Sequence, residues 1–111
     1  MPKRILYLYG FSPRIHNHLQ RLVRIVAHQT QQGHDVAIAL LHDGVVGAVP
    51  SDRLPVVLKN LLDLGVRFYV LGEDLDARGL GEFQLQDGLE RIDYDSLMDL
   101  IVQCDTLCSW M

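Results

Sequence analysis

Two cysteines and one histidine-centred segment carry the residue types in this sequence that could do chemistry. Cys104 and Cys108 are its only thiols. A thiol works as a nucleophile or sulfur carrier when it is exposed and stands in an electropositive setting, such as a helix N-terminus. Neither cysteine has such a helix start beside it in the sequence. A structural zinc normally takes four ligands, and no second pair stands at ligand spacing, so no metal site is expected. A disulfide between the two is also unfavoured. Four residues along a strand span about 13 Å, beyond the limit of about 7 Å between bridged Cα atoms. The residues leave two readings open: buried structural thiols, or a catalytic, sulfur-carrying thiol at Cys104 or Cys108.

His42-Asp43-Gly44 is the second candidate, as a ligand-binding rim. His42 would serve as a base or polar anchor, with Asp43 to orient it. A plain turn is the competing reading, since Asp-Gly supplies the backbone geometry that turns need. The remaining histidines fall near a helix start (His16, His18), on a polar helix face (His28) and in a turn (His34). There is no His-Glu-x-x-His, no Gly-x-Ser-x-Gly and no Gly-Lys-Ser/Thr phosphate loop. Gly79-Leu80-Gly81 does not lead from a strand into a helix, so it is no dinucleotide fingerprint. No cofactor is expected.

The stretch that must position these residues is Val36–Leu41, six consecutive apolar residues between Gly33-His34-Asp35 and His42-Asp43-Gly44. Such a run, without helical period, reads as a strand buried on both faces. That demands layers on both sides of a parallel sheet. Ligands in such sheets gather at the carboxyl ends of the strands, where His42-Asp43-Gly44 sits. Ile5–Tyr9 and Val66–Leu71 read as further strands, Leu89–Ile92 as a short one, and Asp105–Trp110 as the last. Helices are expected from Ser12-Pro13 to Gly33, from Leu54 to Leu64, and from Tyr94 to Gln103 with Asp95 as its N-cap. Glu73–Arg78 forms one short helical turn. The strand ends at Gly10–Arg14, His42–Gly44 and Gly72–Asp74 share a rim if their strands are adjacent and parallel. The fold class is α/β: three layers, α/β/α, around a mainly parallel sheet of about five strands, in a single domain over 1–111.

Composition narrows the function classes. The chain of 111 residues is 49% hydrophobic, enough for a real core, and carries a net charge of −4. No basic stripe is present, so direct nucleic-acid binding is not expected. No apolar run approaches the roughly 20 residues that span a bilayer. Ile5–Tyr9 is too short for a signal-peptide core of about 7–15 residues. With two cysteines and no disulfide framework, the expectation is a soluble cytoplasmic protein away from membranes.

Three segments together resemble one family. They are Leu40–Val49 (LLHDGVVGAV), Tyr69–Leu80 (YVLGEDLDARGL) and Ile92–Met111 (IDYDSLMDLIVQCDTLCSWM). The aspartate-glycine after the second strand, the L-x-x-D-L-x-A-R-G loop after the third and the closing C-D-x-x-x-x-W are similar to those of the DsrH/TusB branch of DsrE/DsrF/DsrH sulfur-relay subunits. Ser12-Pro13 fits the start of that family. The resemblance implies a compact α/β fold that assembles with DsrE-like and DsrF-like subunits, or as a homo-oligomer. It implies work in persulfide transfer, for tRNA 2-thiouridine formation or sulfur oxidation. DsrH-type members can carry a cysteine in the first helix, around the positions held here by Gln20–Val23, and none stands there. No cysteine precedes Cys104, the one cysteine at a family position. The resemblance therefore implies an accessory or scaffold subunit. The alternatives are a stand-alone sulfur carrier using Cys104 or Cys108, and a small-ligand binding module at His42-Asp43-Gly44.

Overall fold

The computed structural model describes residues 2–11, 18–48, 55–85 and 87–111. The expected Ser12-Pro13 helix start, Arg14, His16 and the Leu54 helix start lie outside the described residues, as do the side chains of Leu19, Val57 and Leu58. Strand β1 (Arg4–Tyr9) leads to helix α1 (His18–Gln31), then β2 (Asp35–Leu40), a 3-10 helix (His42–Ala48) and α2 (Pro55–Asp63). β3 (Arg67–Leu71), α3 (Gly72–Ala77), β4 (Leu89–Ile92), α4 (Tyr94–Gln103) and β5 (Thr106–Trp110) follow.

The five strands form one sheet in the order β4-β3-β2-β1-β5, and every pairing is parallel. The chain steps outward from β1 to β4. α4 then carries it back across the sheet to lay β5 on the other side of β1. The strands that end at Tyr9, Leu40 and Leu71 are therefore neighbours. Their carboxyl ends make one rim, as the sequence predicts.

Val36, Ala37, Ile38, Ala39 and Leu40 are each 4% exposed or less. A strand alternates its side chains between two faces, so burial of every residue means cover on both. On one face Ile5, Tyr7, Tyr9, Val36, Ile38 and Leu40 pack with Leu22 and Val26 of α1, Leu61 of α2 and Leu75 of α3. On the other, Leu6, Leu8, Ala37 and Ala39 lie with Leu97 of α4, while Leu100 and Ile101 pack against the cluster. Three helices thus serve one face and one serves the other. Each fully buried Leu or Ile contributes about 1.5–3 kcal/mol relative to exposure.

Helix ends follow from local chemistry. Gly33 (φ 89°) and Gly65 (φ 84°) leave α1 and α2 in the left-handed region that a side chain disfavours. At α4 the expectation of an Asp95 cap is corrected. Helical geometry begins at Tyr94, so the cap position is Asp93, whose carboxylate accepts from the Ser96 amide at 2.8 Å. That hydrogen bond holds the Asp93 carboxyl below the usual carboxylate range. Asp95 falls in the first turn instead, an acidic residue at the positive end of the helix dipole.

Candidate functional site

His42-Asp43-Gly44 opens the 3-10 helix that follows β2. Three separate contacts fix it. The His42 backbone N–H donates to Asp74 Oδ2 at 2.6 Å, and Asp74 is buried. A hydrogen bond to an ionised group contributes about 1.5–3 kcal/mol, and leaving that carboxylate without a donor would cost at least as much. The second contact is the Arg78 guanidinium, which donates through Nε to Asp43 Oδ1 at 3.1 Å and through Nη1 to the Asp74 carbonyl at 3.4 Å. In the third, Gly44 lies against β1, where a Cβ would collide with the Tyr9 carbonyl oxygen. That same oxygen already accepts from the Leu41 N–H at 2.9 Å.

His42 itself has φ 50°, a left-handed conformation uncommon outside glycine, though tolerated by His, Asn and Asp. Its imidazole is exposed, with Nδ1 3.8 Å from Asp74 Oδ2, too far for a hydrogen bond. The expected His42–Asp43 orientation is therefore corrected: Asp43 is held by Arg78, and the carboxylate facing His42 is Asp74. Two of the three expected rim segments, His42–Gly44 and Gly72–Asp74, are joined directly. Asp74 and Arg78 carry that join. Both stand in the L-x-x-D-L-x-A-R-G stretch, and the signal that could have singled them out was an aspartate and an arginine one helical turn apart.

Beneath the rim lies Tyr9, fully buried, whose hydroxyl has no hydrogen-bond partner among the described residues. Burial pushes its pKa up to about 12. Its ring meets Phe11 edge-on at 6.0 Å, and Phe11 stacks on His18 at 4.3 Å. His18 in turn meets Trp110 edge-on at 6.5 Å. This aromatic row links β1, α1 and β5 at the carboxyl end of the sheet.

The cysteines lie elsewhere. Cys104 caps the C-terminus of α4, and its thiol donates to the Ile101 carbonyl at 3.2 Å. It helps line a cavity of about 40 Å³ with Arg4, Asp35, Arg67 and Gln103 at the amino end of the strands. The end of a helix that meets this thiol is the negative one, opposite to the positive end that activates thiols. Cys108 sits in the middle of β5, in register with Tyr7. Its thiol lies beside the Tyr7 hydroxyl, which donates to Gln29 Oε1 at 2.7 Å. Burial raises the Tyr7 pKa, and the Cys108 neighbour adds to the rise. Both cysteines are free and half-buried. They pack against opposite faces of the sheet, Cys108 on the α1 side and Cys104 on the α4 side. The structure brings neither to His42. No group of three or more His, Cys, Asp or Glu side chains able to hold a metal occurs among the described residues.

A family model described as DsrH like protein matches residues 11–107. The chain belongs to the DsrH-like family. It is 39% identical over 74 residues to Protein TusB of Salmonella arizonae and, equally, of Salmonella newport, across 67% of this chain and 74% of theirs. Its fold is that of the ychN protein from E. coli, with a TM-score of 0.86 at 19% identity over 99% of this chain and 100% of that one. The MTH1491 protein from Methanobacterium thermoautotrophicum gives a TM-score of 0.82 at 14% identity, over 96% of this chain and 98% of that one. Within this DsrH-like chain Asp43, Asp74 and Arg78 make up one bracing network, and Gly44 packs against β1 beside it, so these four residues shape the rim. No described helix is long and apolar enough to cross a membrane.

Proposed function

We propose that this DsrH-like chain is an accessory subunit of a sulfur-relay complex, a single-domain partner that shapes the assembly and leaves the persulfide to DsrE-like and DsrF-like subunits. Relay work of this kind, for tRNA 2-thiouridine formation or sulfur oxidation, is what kinship with the DsrH/TusB branch implies. The observation that carries the accessory role is the placement of the thiols. Cys104 is turned into the end of α4 and Cys108 is in mid-strand, on opposite faces of the sheet. The rim, where a parallel α/β fold presents reacting groups, holds braced polar side chains. Work in the cytoplasm and alongside these two partners belongs to the same reading.

The test is reconstitution. A Cys104→Ser/Cys108→Ser protein, added to the partner subunits, a cysteine desulfurase and cysteine, should support sulfur transfer as well as the unaltered chain. Loss of transfer with binding retained would overturn the accessory role.

Cys108 carries a second reading, as a carrier, because its thiol is only half-buried and stands in β5 in register with Tyr7, clear of the helix end that holds Cys104. In that step the Cys108 thiolate attacks the outer sulfur of a donor persulfide. A Cys–S–SH forms and the donor leaves as its thiolate, with no net oxidation. The mark of this reading is a mass gain of one sulfur atom that Cys108→Ser abolishes and Cys104→Ser does not.

A further inference from the structure

The sheet has two edge strands, and they differ in composition. β4, Leu89-Glu90-Arg91-Ile92, carries charge at its two middle positions, a common guard against a further strand adding there. β5, Thr106-Leu107-Cys108-Ser109-Trp110, carries no charge and no proline. Among the described residues it pairs with β1 alone. The Trp110 carbonyl turns inward and accepts from the Gly10 N–H at 2.9 Å. Backbone groups alternate in direction along a strand, so the N–H and C=O of Leu107 and of Ser109 face the outer edge. Leu107 shares its sheet face with Leu6, on the α4 side, and is 45% exposed. Met111, just past the strand, is 55% exposed.

We propose that β5 adds antiparallel to β5 of a second copy of this chain, about a two-fold axis through Cys108, so that two five-stranded sheets become one. The outward groups set the register. An antiparallel ladder joins residues in pairs that exchange both of their hydrogen bonds. Leu107 opposite the partner's Ser109, and Ser109 opposite the partner's Leu107, use every outward group of these two residues. The same register sets Thr106 against the partner's Trp110, a β-branched residue against an aromatic ring. Asp105 falls opposite the partner's Met111, so no acid meets an acid. On the α4 side of the sheet Leu107 and the partner's Met111 become diagonal neighbours about 7–8 Å apart, within reach of long side chains. Two exposed apolar residues thereby leave water. Pairing β5 with β4 of another copy would set an uncharged edge beside Glu90 and Arg91. It would also leave one edge open at each end. Pairing β5 with itself is isologous and stops at two copies. Cys108 gives this arrangement a signature. It meets its own counterpart on the axis, in a pair without hydrogen bonds whose Cα atoms stand about 4.5 Å apart. That lies within the roughly 4.4–6.8 Å that a disulfide spans. Cys104, at the end of α4, has no such counterpart.

The experiment is sedimentation equilibrium on the full, reduced chain over a rising concentration series, followed by diamide oxidation and non-reducing electrophoresis. The mass should rise to two copies and stop. Diamide takes two electrons and two protons from a pair of thiols, and should link the copies by one S–S bond. Cys108→Ser should abolish the link and Cys104→Ser should keep it. Ser109→Pro removes an outward N–H and no bond to β1, a place where an edge strand tolerates proline, and should weaken the dimer by roughly tenfold or more. Leu107→Lys puts an ammonium group on the edge, diagonal to its own copy, and should weaken it by a similar factor. Both variants should keep the circular dichroism of the parent. A chain that stays monomeric, a mass that climbs past two copies, a dimer indifferent to both substitutions, or a dimer that diamide does not link through Cys108 overturns the inference. A monomeric chain that still binds a DsrE-like subunit overturns it and leaves the accessory role standing.

Discussion

The backbone N–H of His42 points at the carboxylate of Asp74, 2.6 Å away and thirty-two positions along the chain. Through this bond β3 dictates how the chain leaves β2. Asp74 stands three residues past Leu71, the last residue of β3, and His42 stands two past Leu40, the last of β2. Adjacent parallel strands put those ends side by side.

Replacing Asp74 by Ala should therefore loosen the 3-10 helix and lower stability by about 1.5–3 kcal/mol, the range for a hydrogen bond to a charged group. Asp74→Asn keeps an acceptor oxygen without the charge and should lose less. Urea unfolding reads both: the midpoint should fall while the slope stays constant, because the buried surface is the same. Equal losses in the two variants would show that the charge contributes nothing.

Gly44 is constrained by space. A methyl group there meets the Tyr9 carbonyl oxygen, which is backbone and fixed in the sheet. Gly44→Ala should cost about 1–3 kcal/mol, as for overpacking in a core. The same change at the solvent-facing Gly79, where nothing lies within 4 Å, tests backbone conformation alone, because its φ is 69°. A Gly44→Ala protein as stable as the parent would contradict the close packing of the rim on β1.

How much of this could be read from the sequence depended on whether the signal was local. The unbroken apolar run Val36–Leu41 carried the architecture, because only cover on both faces tolerates six such residues in a row. Glycines at 33 and 65 marked helix ends for an equally local reason. The sequence points to Asp95 as the cap of α4, two residues past the observed Asp93, because the two are chemically alike and only the backbone decides which precedes the helix. The bracing of Asp43 by Arg78, rather than its pairing with His42, was not legible. It depends on α3 and the 3-10 helix meeting in space, thirty-five positions apart. The opposite-face placement of Cys104 and Cys108 was hidden for a related reason. One lies at a helix end and the other in a strand, so neither period alone relates them.

Ile38 offers a test of the architecture. It is fully buried at the centre of β2, with strands on either side and helical cover on its face. Ile38→Asp would place a carboxyl group there with no partner and remove a packed side chain, a combined penalty comparable to the roughly 5–15 kcal/mol that holds a typical domain together. The expected outcome is an insoluble or unfolded chain by circular dichroism. Ile38→Val, which removes one methylene, should fold and lose about 0.5–1.5 kcal/mol.

Tyr9 gives the pH dependence. Its folded pKa is about 12 against 10.0 for the free side chain. The unfolded chain therefore gives up this proton first. The neutral, buried form contributes stability in full below pH 10, and that contribution is lost as pH rises from 10 to 12. A shift of this size corresponds to roughly 2–3 kcal/mol across the window. Tyr7, also raised by burial, acts in the same direction. Tyr9→Phe should flatten the alkaline loss. Below pH 10 it should leave stability equal or higher, because the hydroxyl it removes has no hydrogen-bond partner among the described residues. Thermal or urea unfolding from pH 8 to 11 measures both effects. A Tyr9→Phe protein that is less stable at pH 8 would mean that this hydroxyl does meet a partner in solution.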